Sequence, residues 1–284
     1  MQKKTTNFRI GVIGHTGMVG SNVYLYFKRK NFKVIGYSLD KKEGEENSSW
    51  KEINNKCGII FICVPTPYDW KKNKTNLNIV ESIISKIAPN KIAIIKSTVW
   101  PGTTKRLQKK YPRLKFIFNP EFLSRTSARE DFEYPDRQIV GYTKNSKAIA
   151  SKILKILPRA PYSKIMKAEE AELIKYSHNV WGAIRIMWAN HLYDVATELK
   201  IDYDIVKEGF AASKFIGKGI LRYMTIFHNG KRGFGGPCFP KDIASYIEFC
   251  KKIGVYSDLP QAARNQNRRL LKIQGITEQK SEKF

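Results

Sequence analysis

An α/β fold is what this 284-residue sequence predicts: a doubly wound, mostly parallel sheet followed by an all-helical domain built on one long helix. Three observations predict it. Short apolar runs alternate with segments of helical periodicity through the first half. A glycine-rich turn joins the first run to the first helix. After Ala160-Pro161 the alternation stops, and Lys167 to Lys200 runs without a proline and with a single glycine. Strand and helix in alternation call for right-handed crossovers and a parallel sheet.

Taken in order, Phe8–Ile13, Lys33–Tyr37, Gly58–Val64, Lys91–Lys96, Leu114–Phe118 and Arg137–Gly141 are the apolar runs that read as strands. Met18–Lys30, Leu77–Ala88, Thr103–Tyr111 and Ser146–Leu157 read as the helices between them. The long helix opens on Glu169, Glu170 and Glu172, where the macrodipole favours acids. Its apolar residues, among them Val180, Trp181, Ile184, Met187 and Trp188, occupy more than one face. Such a helix is buried on several sides, which predicts packing against its own domain and, in a homodimer, against a second copy. Two further helices follow, one after Cys238 and one around Asp258–Lys272. The predicted organisation is a dinucleotide-binding domain over 1–163, a helical domain over 164–273 and a polar, frayed tail over 274–284.

Composition bounds the function. With 42% hydrophobic residues the chain can bury a proper core. The formal charge of +26 attracts anions such as nucleotides and sugar phosphates. The basic residues are scattered and no nucleic-acid-binding motif accompanies them, so a solvated lysine-rich surface is expected, with no specific nucleic-acid site. The start, MQKKTTNFRI, carries no apolar core of a signal peptide, and no apolar run reaches the length of a membrane span. Cys57, Cys63, Cys238 and Cys250 lack zinc spacing and the four histidines are dispersed, so no metal site is expected. Free thiols fit a cytoplasmic protein.

The motifs that carry chemistry fall where such a fold binds ligands, outside the carboxyl ends of the strands. The first strand leads into Gly14-His15-Thr16-Gly17-Met18-Val19-Gly20. Glycines there allow a tight turn and seat a pyrophosphate on the helix N-terminus. The second strand ends at Tyr37-Ser38-Leu39-Asp40, and Asp40 is placed to hold the adenosine ribose of NAD, with Glu43 adding negative charge. Ser38 occupies the spot where a carboxylate is usual, and Lys41 and Lys42 could take a 2′-phosphate, so NADP stays open beside NAD. Val64-Pro65-Thr66-Pro67, Ser97-Thr98-Val99-Trp100-Pro101-Gly102-Thr103 and Asn119-Pro120-Glu121-Phe122-Leu123 each follow a strand on that same rim. On the long helix Lys175 and Asn179 are four apart and share a face. Lys175 either meets an anion there or snorkels to solvent. In Phe234-Gly235-Gly236-Pro237-Cys238-Phe239-Pro240-Lys241-Asp242, Pro240 suits a first helical turn. Cys238 then lies at the positive end of a helix, which favours thiolate. A buried structural cysteine in a tight turn is the other reading of this segment.

In order along the chain, GHTGMVG, FICVPTP, KSTVWPGTT, NPEFL, AELIKYSHN and GFGGPCFPKD resemble the nucleotide-sugar dehydrogenases that oxidise UDP-glucose or GDP-mannose to the uronic acid. The resemblance extends from about Phe8 to Arg269. It implies a Rossmann-like domain with NAD as cofactor, held by Gly14, Thr16, Gly17, Met18, Val19, Asp40, Val64, Pro65, Thr66 and Thr98. It also implies a nucleotide-sugar substrate and a place in polysaccharide biosynthesis. By resemblance Cys238 is the nucleophile and Glu121 the acid/base residue, while Lys175, Asn179, Asp242 and Thr98 position substrate and a catalytic water. Phe122, Leu123, Phe234, Gly235 and Gly236 would touch substrate. Two hydride transfers through a cysteine thiohemiacetal and thioester are the implied route. The sequence departs from the family at Arg125, where a second Glu is usual after PEFL, and at Pro237. It also stops where the family's C-terminal nucleotide-binding domain would begin. A simpler two-domain dehydrogenase, a nucleotide-binding module and one half of a split enzyme are the other readings.

Overall fold

The computed structural model describes residues 9–40 and 47–284. They form two compact units. The first contains the described residues up to Pro67 and those from Asn76 to Lys175; the second contains Tyr68–Thr75 and Tyr176–Phe284.

The first unit is built on a seven-stranded sheet. Its strands are β1 (Arg9–Ile13), β2 (Val34–Tyr37), β3 (Cys57–Ile62), β6 (Ile92–Ile95), β7 (Lys115–Phe118), β8 (Arg137–Tyr142) and β9 (Tyr162–Lys167), while β4 (Tyr68–Asp69) and β5 (Lys74–Thr75) belong to the second unit. The spatial order is β2-β1-β3-β6-β7-β8-β9, and all neighbours are parallel except β7 and β8. The order reverses between β1 and β3, where an open sheet of this kind forms its crevice. Connecting helices are α1 (Met18–Arg29), α2 (Trp50–Lys56), α3 (Asn78–Ser85), α4 (Thr103–Lys110), α5 (Ala128–Glu133) and α6 (Lys147–Ile156). Central strands are apolar on both faces. Ile13, Ile60, Ile62 and Phe118 pack on one side, and Val12, Phe61, Ile94 and Ile117 on the other, as a sheet covered twice requires.

Three features of this unit are not anticipated by the periodicity. Helix α2 opens on a capping box, with Glu52 N–H donating to Ser49 Oγ at 3.2 Å and Ser49 N–H donating to Glu52 Oε2 at 3.1 Å. Strand β8 runs antiparallel to β7, its Tyr142 opposite Ile117 and its Gly141 opposite Phe118. Edge strand β9 exposes Tyr162, Ser163 and Lys164, and charge on an edge discourages pairing with another chain.

The second unit is helical apart from the β4–β5 hairpin. The long helix α7 (Ala168–Glu198) enters it, followed by α8 (Tyr203–Ala212), α9 (Phe239–Lys252), α10 (Asp258–Ile273) and α11 (Glu278–Ser281). Its core gathers Val180, Ala183, Met187, Phe234, Ile243 and Ala263. The hairpin is fastened to α9. Thr75 N–H and its hydroxyl donate to Glu248 Oε2 at 2.8 and 3.1 Å, and Thr75 Oγ1 lies 2.7 Å from Ser245 Oγ.

Two predicted boundaries change. The division lies within α7, between Lys175 and Tyr176, and not at 163, because one helix feeds two cores. Residues 274–284 are not frayed. Buried Glu278 takes a bidentate bond from Arg264 at 2.8 and 3.0 Å, and Ser281 O accepts from Gly236 N–H at 2.8 Å.

Candidate active site

The carboxyl ends of β1, β3, β6 and β7 lead directly into the four motifs of the first unit, so they share one rim. At β1 the turn closes as tightly as glycine allows. Gly14 has φ +82°, and a Cβ on it would lie 2.5 Å from Cys63 O. A Cβ on Gly20 would overlap Gly14 O. Gly17 is the N-cap of α1, with no side chain capping it and no acid in the first turn. The amides of Met18, Val19 and Gly20 therefore open the helix at its positive end, where no carbonyl one turn back can take them. This turn fits the diphosphate of a dinucleotide.

Two of its amides are already taken. Gly17 N–H donates to Gly14 O at 3.1 Å, and Thr16 N–H to Ser38 Oγ at 3.2 Å. Ser38 is buried and also lies 3.0 Å from His15 Nδ1, so the end of β2 is tied to the turn by a hydroxyl. Asp40 stands exposed two residues on. Lys41, Lys42 and Glu43 lie outside the described residues.

Along the rim, Ser97 Oγ accepts from Val64 N–H at 3.1 Å and donates to Val64 O at 2.6 Å, linking the turns after β3 and β6. Thr66 is buried, Pro65 exposed and Thr98 half-buried. After β7, the Glu121 carboxylate meets Lys175 Nζ at 2.8 Å and accepts from Leu123 N–H at 2.9 Å. Burial opposes its charge. Lys175, by charge and hydrogen bond, together with the Leu123 amide and Lys96, outweighs burial and holds the Glu121 carboxyl below its ordinary value. Lys175 is therefore a buried ion-pair partner, and the snorkelling alternative is set aside. Phe122 lies under cations, 5.6 Å from Lys175 Nζ and 3.8 Å from the Arg137 guanidinium. Leu123 packs against the core.

The periodicity gives no sign of Lys96 and Asn119. Lys96 is buried, donates to Asn119 Oδ1 at 2.7 Å and lies 5.5 Å from the Phe132 ring. Burial brings its amine down to about 8, against the pull of nearby Glu121. Asn119 is fixed in turn by bonds from its Nδ2 to Gln138 Oε1 at 2.8 Å and Ile139 O at 2.7 Å. A lysine closing an apolar strand reads as a surface charge. Only the neighbouring NPE turn hints otherwise.

In the second unit Cys238 is the N-cap of α9, with Pro240 in the first turn, and Asp242 N–H makes the first helical bond to Cys238 O at 2.9 Å. Asp242 is buried one turn on. Its Oδ2 accepts from Asn179 Nδ2 at 2.5 Å and its Oδ1 from Lys241 Nζ at 2.5 Å. The structure thus groups Glu121 with Lys175 and Phe122 in one unit. In the other it groups Asn179 with Asp242, and Cys238 heads the same helix as Asp242. Phe234 is placed in the core, with its backbone N–H and O both bound to the Asn267 side chain. Gly235 and Gly236 lie under α11, and a Cβ on Gly235 would overlap the Phe284 ring.

Residues 45–157 match the NAD binding domain of the UDP-glucose/GDP-mannose dehydrogenase family, and residues 169–269 match that family's central domain. The chain is 31% identical over 252 residues to the UDP-glucose 6-dehydrogenase of Rickettsia bellii, a match covering 85% of this chain and 56% of that protein. With the Rickettsia prowazekii enzyme of the same name it is 34% identical over 255 residues, 82% of this chain and 57% of that one. A solved UDP-glucose dehydrogenase from the archaeon Pyrobaculum islandicum superposes with a TM-score of 0.82 at 26% identity, over 96% of this chain and 72% of that one. The chain spans about half the length of the curated relatives it matches. Among the described residues no helix is long and apolar enough to cross a membrane.

Proposed function

We propose, since this chain belongs to the UDP-glucose/GDP-mannose dehydrogenase family and carries its NAD-binding domain, that it oxidises the C6 alcohol of a nucleotide sugar, UDP-glucose foremost, to the uronic acid. The observation that carries this reading is Cys238 at the N-cap of α9, one turn before the buried Asp242–Asn179 pair. Bound NAD, held by the glycine turn through Met18 and Val19 with Val64, Pro65, Thr66 and Thr98 along the rim, supplies the hydride acceptor.

The chain's own groups do the rest. The Cys238 sulfur, as thiolate, bonds to the carbonyl carbon of the C6 aldehyde left by the first hydride transfer. The thiohemiacetal so formed would give up a second hydride, to a second NAD, and the thiolate leaves when water hydrolyses the resulting thioester. Glu121, kept ionised by Lys175, takes the proton of that water. Lys175 and Asn179 donate to the oxyanion that forms on the substrate oxygen, and Asp242 fixes Asn179 for that purpose. A panel of nucleotide sugars with NAD tests the reading. Two equivalents of reduced nicotinamide per sugar are expected from the wild type, and no uronic acid from Cys238→Ser.

A second reading is nucleotide-sugar binding without turnover, favoured by the departures from the family's pattern at Arg125 and Pro237. Saturable binding of UDP-glucose with no nicotinamide reduction would decide for it.

We also infer a homodimer through α7. Trp181, Trp188 and Val195 recur at seven-residue spacing and stay 50%, 47% and 40% exposed, an apolar stripe suited to an identical helix. Light scattering is expected to give twice the chain mass, and Trp188→Glu to give monomer.

A further inference from the structure

Lys96 directly follows β6, and Asn119 stands beside it after β7, with Asn119 N–H donating to Ile95 O at 2.9 Å. Both side chains are buried in the first unit. The Lys96 ammonium donates to Asn119 Oδ1 at 2.7 Å and to Asn119 O at 3.3 Å, so it grips that residue by side chain and backbone together. Asn119 passes the restraint on to β8 through Gln138 Oε1 and Ile139 O, and Gln138 Nε2 donates to Pro158 O at 3.2 Å. Three strand ends are thus joined through one buried charge, which the chemistry proposed above does not use. Thr98 comes two residues after Lys96, and Glu121 two after Asn119. The Lys96–Asn119 bond therefore ties together the roots of the two turns that carry those side chains. Glu121 itself is faced by Lys175 of α7, by Lys96 and by the Cys63 thiol after β3, while Arg137 of β8 stacks on the adjacent Phe122 at 3.8 Å. Burial pushes Cys63 up to about 12, so it brings no charge to the group.

We propose, resting on the reading of Glu121 as the base that activates water, that Lys96 is the positioning residue for that carboxylate, its bond to Asn119 locking the 119–121 turn against the end of β6. Pro120 stiffens the link between the two residues, since its ring fixes φ, so a displaced Asn119 carries Glu121 with it. Lys96 also sets a second buried cation beside Glu121, in addition to Lys175. Without it the carboxyl takes up its proton at higher pH. The Lys96 amine, brought down by burial to about 8, keeps its own charge throughout the acid range.

Carbon-13 NMR of the full chain, labelled at its glutamate carboxyls, tests this. The Glu121 signal is identified by its loss in Glu121→Gln. In the wild type it should hold its ionised position down to about pH 5. Lys96→Met keeps the aliphatic stem and removes the charge and the donors; the Glu121 midpoint should then rise by about one pH unit. Lys96→Arg restores a cation and should bring the midpoint back. Lys109→Met removes a charge from an exposed position on α4 and should leave it where it was. An unmoved midpoint in Lys96→Met, an equal rise in Lys109→Met, or a midpoint that stays high in Lys96→Arg overturns the proposal. If far-UV circular dichroism shows Lys96→Met misfolded, Lys96→Gln, which keeps a donor without the charge, carries the same expectation. With UDP-glucose and NAD, the acid limb of kcat/KM should follow the Glu121 midpoint upward, and at about pH 7 kcat should fall roughly tenfold with KM unchanged. A wild-type chain that forms no uronic acid overturns the dehydrogenase reading beneath, and the titration, which needs no substrate, still decides whether Lys96 governs Glu121.

Discussion

Among single side chains, the four cysteines separate sharply. Burial pushes the Cys57 thiol up to about 11 and the Cys63 thiol to about 12, and raises Cys250 as well. Of the four, Cys238 is the one that caps a helix N-terminus, a position that favours thiolate. Limiting iodoacetamide near neutral pH should therefore modify Cys238 first, read by peptide mass spectrometry; first modification of any other cysteine removes the nucleophile assignment. The Glu121–Lys175 pair gives a second prediction. Lys175→Met strips a buried carboxylate of its ion-pair partner, which should cost about 3 kcal/mol in urea unfolding. Adding Glu121→Gln should recover most of it, since the stranded charge is what costs. These two residues were legible because each stands in a motif with a chemical reason. Lys96 and Asn119 were not, since nothing local to a strand end tells a buried lysine from a solvated one.

Strands and helices with strong periodicity stand within a residue or two of their predicted bounds, as β6, β7, α1 and α4 do. What went unread are elements defined by partners. Residues 162–167 form a strand only because β8 pairs with them, and 68–75 form a hairpin seated on α9. Helix α4 shows an element held from outside. Its N-cap Gly102 brings no side chain, and Glu172 of α7 accepts instead from Gly102 N–H at 2.6 Å and Thr104 N–H at 2.8 Å. Burial pushes that carboxyl up to about 7, against the bonds from Thr104 and Gly102. The folded state then holds the proton more tightly than the unfolded chain does. Its contribution to stability is fully present below pH 4.5 and falls by up to about 3 kcal/mol as pH rises through about 7. Urea midpoints measured from pH 4.5 to 8 should show this decline, and Glu172→Gln should flatten it. A wild-type midpoint that rises across that range contradicts the assignment.

Across the molecule, the +26 charge is carried by lysines and arginines scattered along the chain, with exposed pairs such as Lys109-Lys110 and Lys251-Lys252. The acids that matter most lie inside the fold: Glu121, Glu172, Asp242 and Glu278. Composition therefore described the solvent-facing shell, and the motifs described the interior. The partition between units was beyond reach of the sequence because it depends on residues far apart along the chain. Thr75 and Glu248 are separated by 173 positions. On a ribosome adding about 5–20 residues per second, the hairpin waits roughly ten to thirty-five seconds before the strip of helix that receives it has been made. Closing so wide a loop comes late, after the local structure on both sides has formed. Thr75→Val should accordingly leave the refolding rate of the chain unchanged and quicken unfolding several-fold, as expected of contacts made after the transition state. Stopped-flow measurement of both limbs decides it, and slowed refolding would place this clasp in the folding nucleus. Contacts made after the transition state act on the unfolding limb alone, so a tighter clasp at residues 68–75 is expected to lengthen the life of the native chain without hastening its formation.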